Sequence, residues 1–313
     1  MSRLHLLQTK IRFLPMLPLI GNLYRRYRQN KDLMRAMVMK SELQQQLMIN
    51  VFGKCVAGVA FETYNGFLVN GLSDINVSKD LGFTGAYDKA KIEYILPLID
   101  PGSCVYILGA HIGTLAVPIA RSAREVIAFE ANPATFQFLS RNIDLNQARN
   151  VKSYNFAVYD KEIQLPFYQS RTNTGGSKIK PVKDHLWYNY DDPEIIHVSG
   201  KVLDEFVIGT GLPMPDLIIM DIEGAEHAAL KGARACLRNA SHLYIEFVPH
   251  HLSNVANVSV DDFAATITAE FSKMVVVDDE VEARRRPYCG AEIVQTLRAF
   301  GKAGRGCDLL FSK

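Results

Sequence analysis

The chain of 313 residues is 48% apolar and 22% charged, enough to bury a sizeable core as one large domain with an appendage or as two small domains. Its formal net charge of +2 gives no argument for nucleic acid as a partner. Five cysteines without a C-x-x-C pair argue against a disulfide framework or a zinc site and fit small hydrophobes in a reducing compartment.

The charge is unevenly spread. Residues 1–31 hold Arg3, Lys10, Arg12, Arg25, Arg26, Arg28 and Lys31 and no acid, a segment charge of +7 that leaves −5 on the remaining 282 residues. With Phe13, Tyr24 and Tyr27 interleaved, this basic arm suits anionic lipid headgroups, a polyanionic glycan or a partner protein; nucleic-acid contact there would be weak and is not expected. Surface attachment is the preferred reading, beside that of a solvated terminus. No apolar run reaches the ~20 residues that span a bilayer. Phe13–Ile20 contains Pro15 and Pro18 and is followed by Arg25-Arg26 rather than a cleavage site, so a cytoplasmic protein is expected, with peripheral contact at the inner membrane surface.

Leu33, Met34, Met37, Val38, Leu43, Leu47 and Met48 recur at helical spacing and predict a helix over 32–52, packed on the main domain or serving as a lid over a substrate. Residues 61–75 alternate, with turn residues at Asn65-Gly66 and Asn70-Gly71, and predict a hairpin. A helix is expected over 89–99, ended by Pro101-Gly102. The division expected is an arm and helix over 1–60 and a main domain over 61–313 with its core at 104–251. In that core, apolar strands at 104–108, 126–129, 151–156, 217–220 and 243–247 alternate with helices at 112–122, 133–146 and 225–237. A helix at 262–271 and strands at 274–277 and 308–311 follow. This alternation means a mostly parallel sheet with helices on both faces, whose ligands bind at the carboxyl ends of the strands. The interval 160–205, with His185, Trp187, Tyr188, Tyr190 and His197, reads as a substrate-selecting insertion or as an ordinary packed hairpin.

After the first core strand comes Gly109-Ala110-His111-Ile112-Gly113, where a glycine permits a sharp turn and close approach to a ligand. His111 stands where a dinucleotide fingerprint needs its middle glycine, so a pyrophosphate would meet an imidazole. S-adenosyl-L-methionine has no phosphate and tolerates that side chain. Glu130 ends the second strand, in register to accept hydrogen bonds from ribose hydroxyls, and Asn132-Pro133 begins a helix.

These strings, together with VIAFEANPATFQFLSRNIDLN, NVKSYNFAVYD, MDIEGAEHAALKGA and IEFVPHHL, resemble the FkbM family of S-adenosylmethionine-dependent methyltransferases. Asp221-Ile222-Glu223-Gly224-Ala225-Glu226 is the most specific element; Thr174-Gly175-Gly176-Ser177 and Thr84-Gly85-Ala86-Tyr87 also fit. The resemblance implies a class I methyltransferase, Rossmann-like fold with a mostly parallel seven-stranded sheet. It implies methyl transfer to a hydroxyl of a sugar, glycolipid or natural product. It places Gly109, Ala110, His111 and Gly113 along the methionine and ribose, and Glu130 on the ribose. Ala131, Asn132, Asn155 and Ala157 would lie near the adenine, and Asp221 near the methionine. One departure stands out: the family's acid two places before the first glycine is Ile107 here, which removes a contact of about 1.5–3 kcal/mol unless another acid substitutes.

A hydroxyl acceptor calls for a general base poised near neutral pH. Asp221, Glu223 and His250 are the leading catalytic candidates, with Glu226, Glu246 and His251 beside them. Glu223 and Glu226 also suit a helix N-terminus, and the histidines a cap or the surface, whereas Asp221 at a strand end has no packing reason to be acidic. No recognisable metal ligand set is seen. The alternative to an enzyme is a catalytically silent domain that binds S-adenosylmethionine; a nicotinamide-dependent oxidoreductase is disfavoured by His111.

Overall fold

Cys104–Leu108 and Leu217–Met220 are buried at every position, as strands covered on both faces must be. A computed structural model describes residues 17–183, 185–277 and 286–313, with the backbone alone for 17–30. Strands are numbered β1–β14 in chain order. The central sheet is built from β3 (Cys104–Leu108), β4 (Glu125–Phe129), β5 (Val151–Tyr154), β10 (Leu217–Met220), β11 (His242–Phe247), β12 (Lys273–Val276), β13 (Tyr288–Cys289) and β14 (Cys307–Ser312). Its order is β13-β12-β14-β11-β10-β3-β4-β5. From β5 to β11 the pairs are parallel; β14, β12 and β13 add on antiparallel. Among the described residues the sheet thus has eight strands rather than the expected seven, the extra one being the two-residue edge β13.

The pleat sorts each strand's side chains between two cores. Tyr106, Leu108, Ile218 and Met220 face one cluster with Phe129, Phe247 and Phe263. Val105, Ile107, Leu217 and Ile219 face the other, covered by Ile92 and Ile95 of helix Lys89–Ile95 and by Ile119 of helix Ala116–Ala120. Both faces are therefore roofed, and the loops at the carboxyl ends of β3, β4, β10 and β11 are left to form a site.

The interval 160–205 is mostly a second sheet, β6 (Ala157–Tyr159), β7 (Ile163–Gln169), β8 (Lys178–Ile179) and β9 (Glu194–Val202), in the order β6-β9-β7-β8. The chain leaves the central sheet at Asn155, so the expected strand 151–156 stops at Tyr154. The helix expected over 225–237 is two helices, Glu226–Gly232 and Arg234–Asn239. A Cβ on Gly232 would stand 2.0 Å from the Tyr159 carbonyl, so the break falls where helix and second sheet meet backbone to backbone. The regular helix expected over 112–122 shrinks to Ala116–Ala120.

Ahead of the core, β1 (Gly58–Thr63) and β2 (Gly66–Gly71) form the hairpin around Tyr64-Asn65. Asn70-Gly71 pairs within the hairpin and is not a turn. The N-terminal helix spans Leu17–Phe52, well beyond the expected 32–52. Its Met34 and Ser41 are buried, and the Ser41 hydroxyl donates to the Ser73 carbonyl at 2.6 Å. Leu43, Leu47 and Val51, spaced one turn apart, are exposed on the opposite side. Of the basic arm, residues 1–16 and the side chains of 17–30 lie outside the described residues.

Candidate active site

The turn after β3 is fixed by two donors on one acceptor. The amides of Gly109 and Ala110 both reach the Phe129 carbonyl at 2.9 Å. Gly109 has φ +85°, and a Cβ there would lie 1.9 Å from the Asp221 carbonyl, so only glycine lets β3 and β10 end side by side. His111 follows in the left-handed region (φ 51°). Its amide donates to Glu130 Oε2 at 2.9 Å, and the Asn132 amide donates to Oε1 at 2.8 Å. Glu130 is buried, which pushes its carboxyl up to about 7 against the pull of those backbone donors.

The His111 ring is held from the far side. The Thr174 hydroxyl donates to Asp74, a fully buried carboxylate, and sits 2.7 Å from His111 Nε2. With the hydroxyl proton committed to Asp74, the Thr174 oxygen accepts from Nε2–H, which leaves Nδ1 as an acceptor. Burial lowers the His111 pKa, so the ring is neutral.

Beside this turn lies a cavity with about 590 Å³ of empty space. Gly109, His111, Glu130 and Asp221 form one end; Phe129 and Phe156, with Phe167 and Ile179 of the second sheet, form an apolar wall. A second cavity shares Gly109, His111, Asp221 and Glu223 and continues to Tyr87, Asp88, Lys91 and Glu246. A third, with about 1410 Å³ of empty space, is framed by Trp187, Tyr188, Tyr190, His185, Lys178, His250 and His251, with Met34 and Met37 of the N-terminal helix on its wall. Glu223 borders all three.

Glu223 reaches that junction because the chain turns sharply after β10. Glu223 (φ 56°) and Gly224 (φ 107°) are both left-handed, a costly conformation for a non-glycine residue. Glu226 Oε1 ties the turn by accepting from the amides of Ile222 and Gly224, each at 3.1 Å. Glu226 therefore fastens the loop and borders none of the three cavities. The Glu223 carboxylate accepts from Lys178 Nζ at 2.7 Å, with His251 Nε2 at 3.6 Å. Burial raises the Glu223 pKa, and the ammonium of Lys178 pulls it back. Burial lowers the pKa of His251, so it is neutral, and its Nδ1 has no hydrogen-bond partner among the described residues. His250 Nδ1 pairs with the Tyr188 hydroxyl at 2.9 Å, and burial lowers its pKa too. Glu246 is pushed up to about 10 by burial and then by Asp221, Glu223 and Glu226.

Of the residues expected at the cofactor, Gly109, His111, Glu130, Ala131, Ala157 and Asp221 line the first cavity. Four others do not border it. Ala110 is buried, and Gly113 packs against Leu139 and Val117. Asn132 caps helix Pro133–Leu145 by accepting from the Ala134 amide at 3.1 Å. Asn155 Nδ2 donates to the carbonyls of Glu130 (2.8 Å) and Ala131 (3.2 Å), fastening the loop from behind. Of the catalytic candidates, Asp221 and Glu223 share the groove, whereas His250 belongs to the third cavity. Sequence reasoning missed Asp74, Asp88, Lys91 and Lys178. Lys178, next to Thr174-Gly175-Gly176-Ser177, and Asp88, directly after Thr84-Gly85-Ala86-Tyr87, had motifs beside them to draw attention. Among the described residues no group of three or more His, Cys, Asp or Glu is arranged to hold a metal ion.

Residues 108–274 match the sequence model of the methyltransferase FkbM domain. The chain is 26% identical over 195 residues to the hexuronic acid methyltransferase AglP of Haloferax volcanii, covering 62% of this chain and 76% of that protein. It is 25% identical over 142 residues to the 2-O-methyltransferase NoeI of Sinorhizobium fredii, covering 42% of this chain and 57% of that protein, so it spans less than two thirds of NoeI. A solved structure of an FkbM methyltransferase from Methylobacillus flagellatus overlays with a TM-score of 0.41 at 17% identity, over 68% of this chain and 44% of that one. With more than half its length inside the matched domain and a parallel sheet closed by antiparallel strands, the chain belongs to the FkbM methyltransferase family and has the class I methyltransferase α/β fold.

Proposed function

We propose that this protein transfers a methyl group from S-adenosylmethionine to a hydroxyl of a carbohydrate acceptor, with Glu223 as the general base. The observation that carries this reading is the position of Glu223, a residue that borders both the groove beside Gly109 and the aromatic cavity. The residues of the groove fit the cofactor. Glu130 spends one lone pair of each oxygen on a backbone amide and keeps others for ribose hydroxyls. Phe129, Phe156, Phe167 and Ile179 supply an apolar wall for an adenine. The cofactor, when bound, supplies a sulfonium methyl as the electrophile.

The chain's own task is then alignment and proton removal. Glu223 accepts the proton of the acceptor hydroxyl. Lys178, 2.7 Å away, stabilises the charged form of Glu223 that this requires. Trp187, 51% exposed at the rim, offers a flat face for a sugar ring, and Tyr188 and His250 offer hydrogen-bonding edges. The names of the relatives, a 2-O-methyltransferase and a hexuronic acid methyltransferase, support a sugar hydroxyl as acceptor. Residues 1–31 bring the protein to an anionic surface where a glycolipid acceptor would be met, in the cytoplasm; among the described residues no helix is long and apolar enough to cross a membrane. Unchanged liposome sedimentation after deletion of residues 1–31 would remove that last step.

The test begins with calorimetric titration of S-adenosylhomocysteine, with NAD as the parallel control. Saturable binding of S-adenosylhomocysteine alone, followed by transfer of labelled methyl to a glycan, is the expected result. Glu223→Gln should lose about 100-fold or more in turnover, a much larger change than the one it makes in cofactor affinity. Binding without turnover on any glycan would favour a silent binding domain, and NAD binding would overturn the reading.

A further inference from the structure

Beyond Asp221 the groove ends in a cavity bordered by Tyr87, Asp88, Lys91 and Glu246. Asp88 and Lys91 belong to helix Lys89–Ile95 and its N-cap, which precede the matched segment 108–274. No role is assigned to them by family membership. Their helix is pinned to the sheet by its apolar side: Ile92 and Ile95 pack in one cluster with Val105, Ile107 and Ile219. Ile107, which stands where the family resemblance leads one to expect an acid, is 1% exposed and serves that packing. The same helix that covers Ile107 delivers charge to the end of the groove.

The charges meet around one ammonium. Lys91 Nζ lies 3.2 Å from Asp221 Oδ2, 3.4 Å from Asp308 Oδ2 and 4.0 Å from Asp88 Oδ2. Lys91 is largely buried; burial alone would lower its pKa, but the three carboxylates outweigh it and hold the group firmly protonated. Burial pushes the Asp88 carboxyl up, with Lys91 opposing. A cavity that shares Gly109, His111, Asp221 and Glu223 with the cofactor groove thus presents one fixed cation within 4.0 Å of carboxylates, a pattern complementary to a group carrying both charges on one carbon.

We propose that this cavity binds an α-amino acid zwitterion, the methionine end of the cofactor, with Lys91 receiving the α-carboxylate and Asp88 and Asp221 receiving the α-ammonium. The proposal rests on the cofactor reading given above. The charge absent at Ile107 is supplied from helix Lys89–Ile95 instead of from β3. In the free protein Lys91 and Asp221 pair with each other; in the complex each gains an opposite charge from the ligand, and the local charge balance is kept.

The experiment separates the two ends of the ligand. Wild-type protein is titrated with S-adenosylhomocysteine and with 5′-methylthioadenosine, which shares the adenosine and the sulfur but lacks the amino acid. S-adenosylhomocysteine should bind at least tenfold more tightly. Lys91→Met should lower its affinity on the order of tenfold to a hundredfold, the loss of a charge-assisted contact, and leave 5′-methylthioadenosine within about twofold. Asp88→Asn should act in the same direction. Equal wild-type affinity for the two ligands overturns the proposal, as does a folded Lys91→Met that weakens both equally or neither. Should Lys91→Met not fold, the wild-type comparison and Asp88→Asn decide. Failure of the wild type to bind either ligand would instead sink the cofactor reading.

Discussion

Gly109→Ala isolates the contact on which the site is built. Its Cβ would stand 1.9 Å from the Asp221 carbonyl oxygen and 3.1 Å from Ile222 Cγ2, and the oxygen belongs to backbone that cannot rotate away. Two costs add: about 1–2 kcal/mol for an L side chain in the left-handed region, and about 1–3 kcal/mol for forcing β3 and β10 apart. Gly113→Ala is the internal control. It too is left-handed (φ +95°), but its Cβ would meet only the side-chain ends Leu139 Cδ1 at 3.2 Å and Val117 Cγ2 at 3.6 Å, which can yield. Urea denaturation should therefore show Gly109→Ala less stable than Gly113→Ala by about 1–3 kcal/mol. Because the displaced carbonyl carries Asp221 with it, Gly109→Ala should also lose S-adenosylhomocysteine affinity while Gly113→Ala keeps it. Equal stability losses together with equal affinities would refute the reasoning.

Lys178→Met should raise the already elevated Glu223 pKa further. A base works deprotonated, so the acid limb of the turnover–pH profile should move to higher pH, and an unmoved limb would exclude Glu223 as the base. Glu130→Ala should weaken S-adenosylhomocysteine binding on the order of tenfold to a hundredfold, and wild-type affinity would mean that the ribose assignment is wrong. Ser259→Ala removes the cap of helix Val260–Thr268, whose hydroxyl accepts from the Asp262 amide at 3.1 Å. It should cost about 1 kcal/mol in urea denaturation without touching cofactor affinity.

The parts of the fold legible in the sequence were those whose physics is local. β3 and β10 are unbroken apolar runs between polar turns, and the sequence bounds of both match the structure. The Gly109 turn and Glu130 were visible because a strand end, a glycine and an acid in register leave few other uses. The second sheet was not, because β7 and β9 mix exposed, half-buried and buried residues without strict alternation, and are held to each other by pairing across some thirty residues. Lys91 was hidden for a similar reason: its partner Asp221 is 130 positions away, and on its own helix it reads as one more polar residue. Asn132 and Asn155 show the converse limit. Both flank the site in sequence, yet each turns its amide to backbone groups, a choice that residue type alone does not reveal.

On the proposed reading, Glu223 borders both the cofactor groove and the acceptor cavity, and that sharing makes the two sites thermodynamically one system. A ligand on either side that changes the charge or hydration of this group changes the free energy available on the other. Linkage then requires reciprocity: whatever factor bound S-adenosylhomocysteine imposes on acceptor affinity, the acceptor must impose on S-adenosylhomocysteine. Product retention and acceptor affinity therefore cannot be tuned separately through the Asp221–Glu226 turn. Variation that adapts the aromatic cavity to a new sugar will, wherever it touches Lys178 or His251, also reset how long the spent cofactor stays bound.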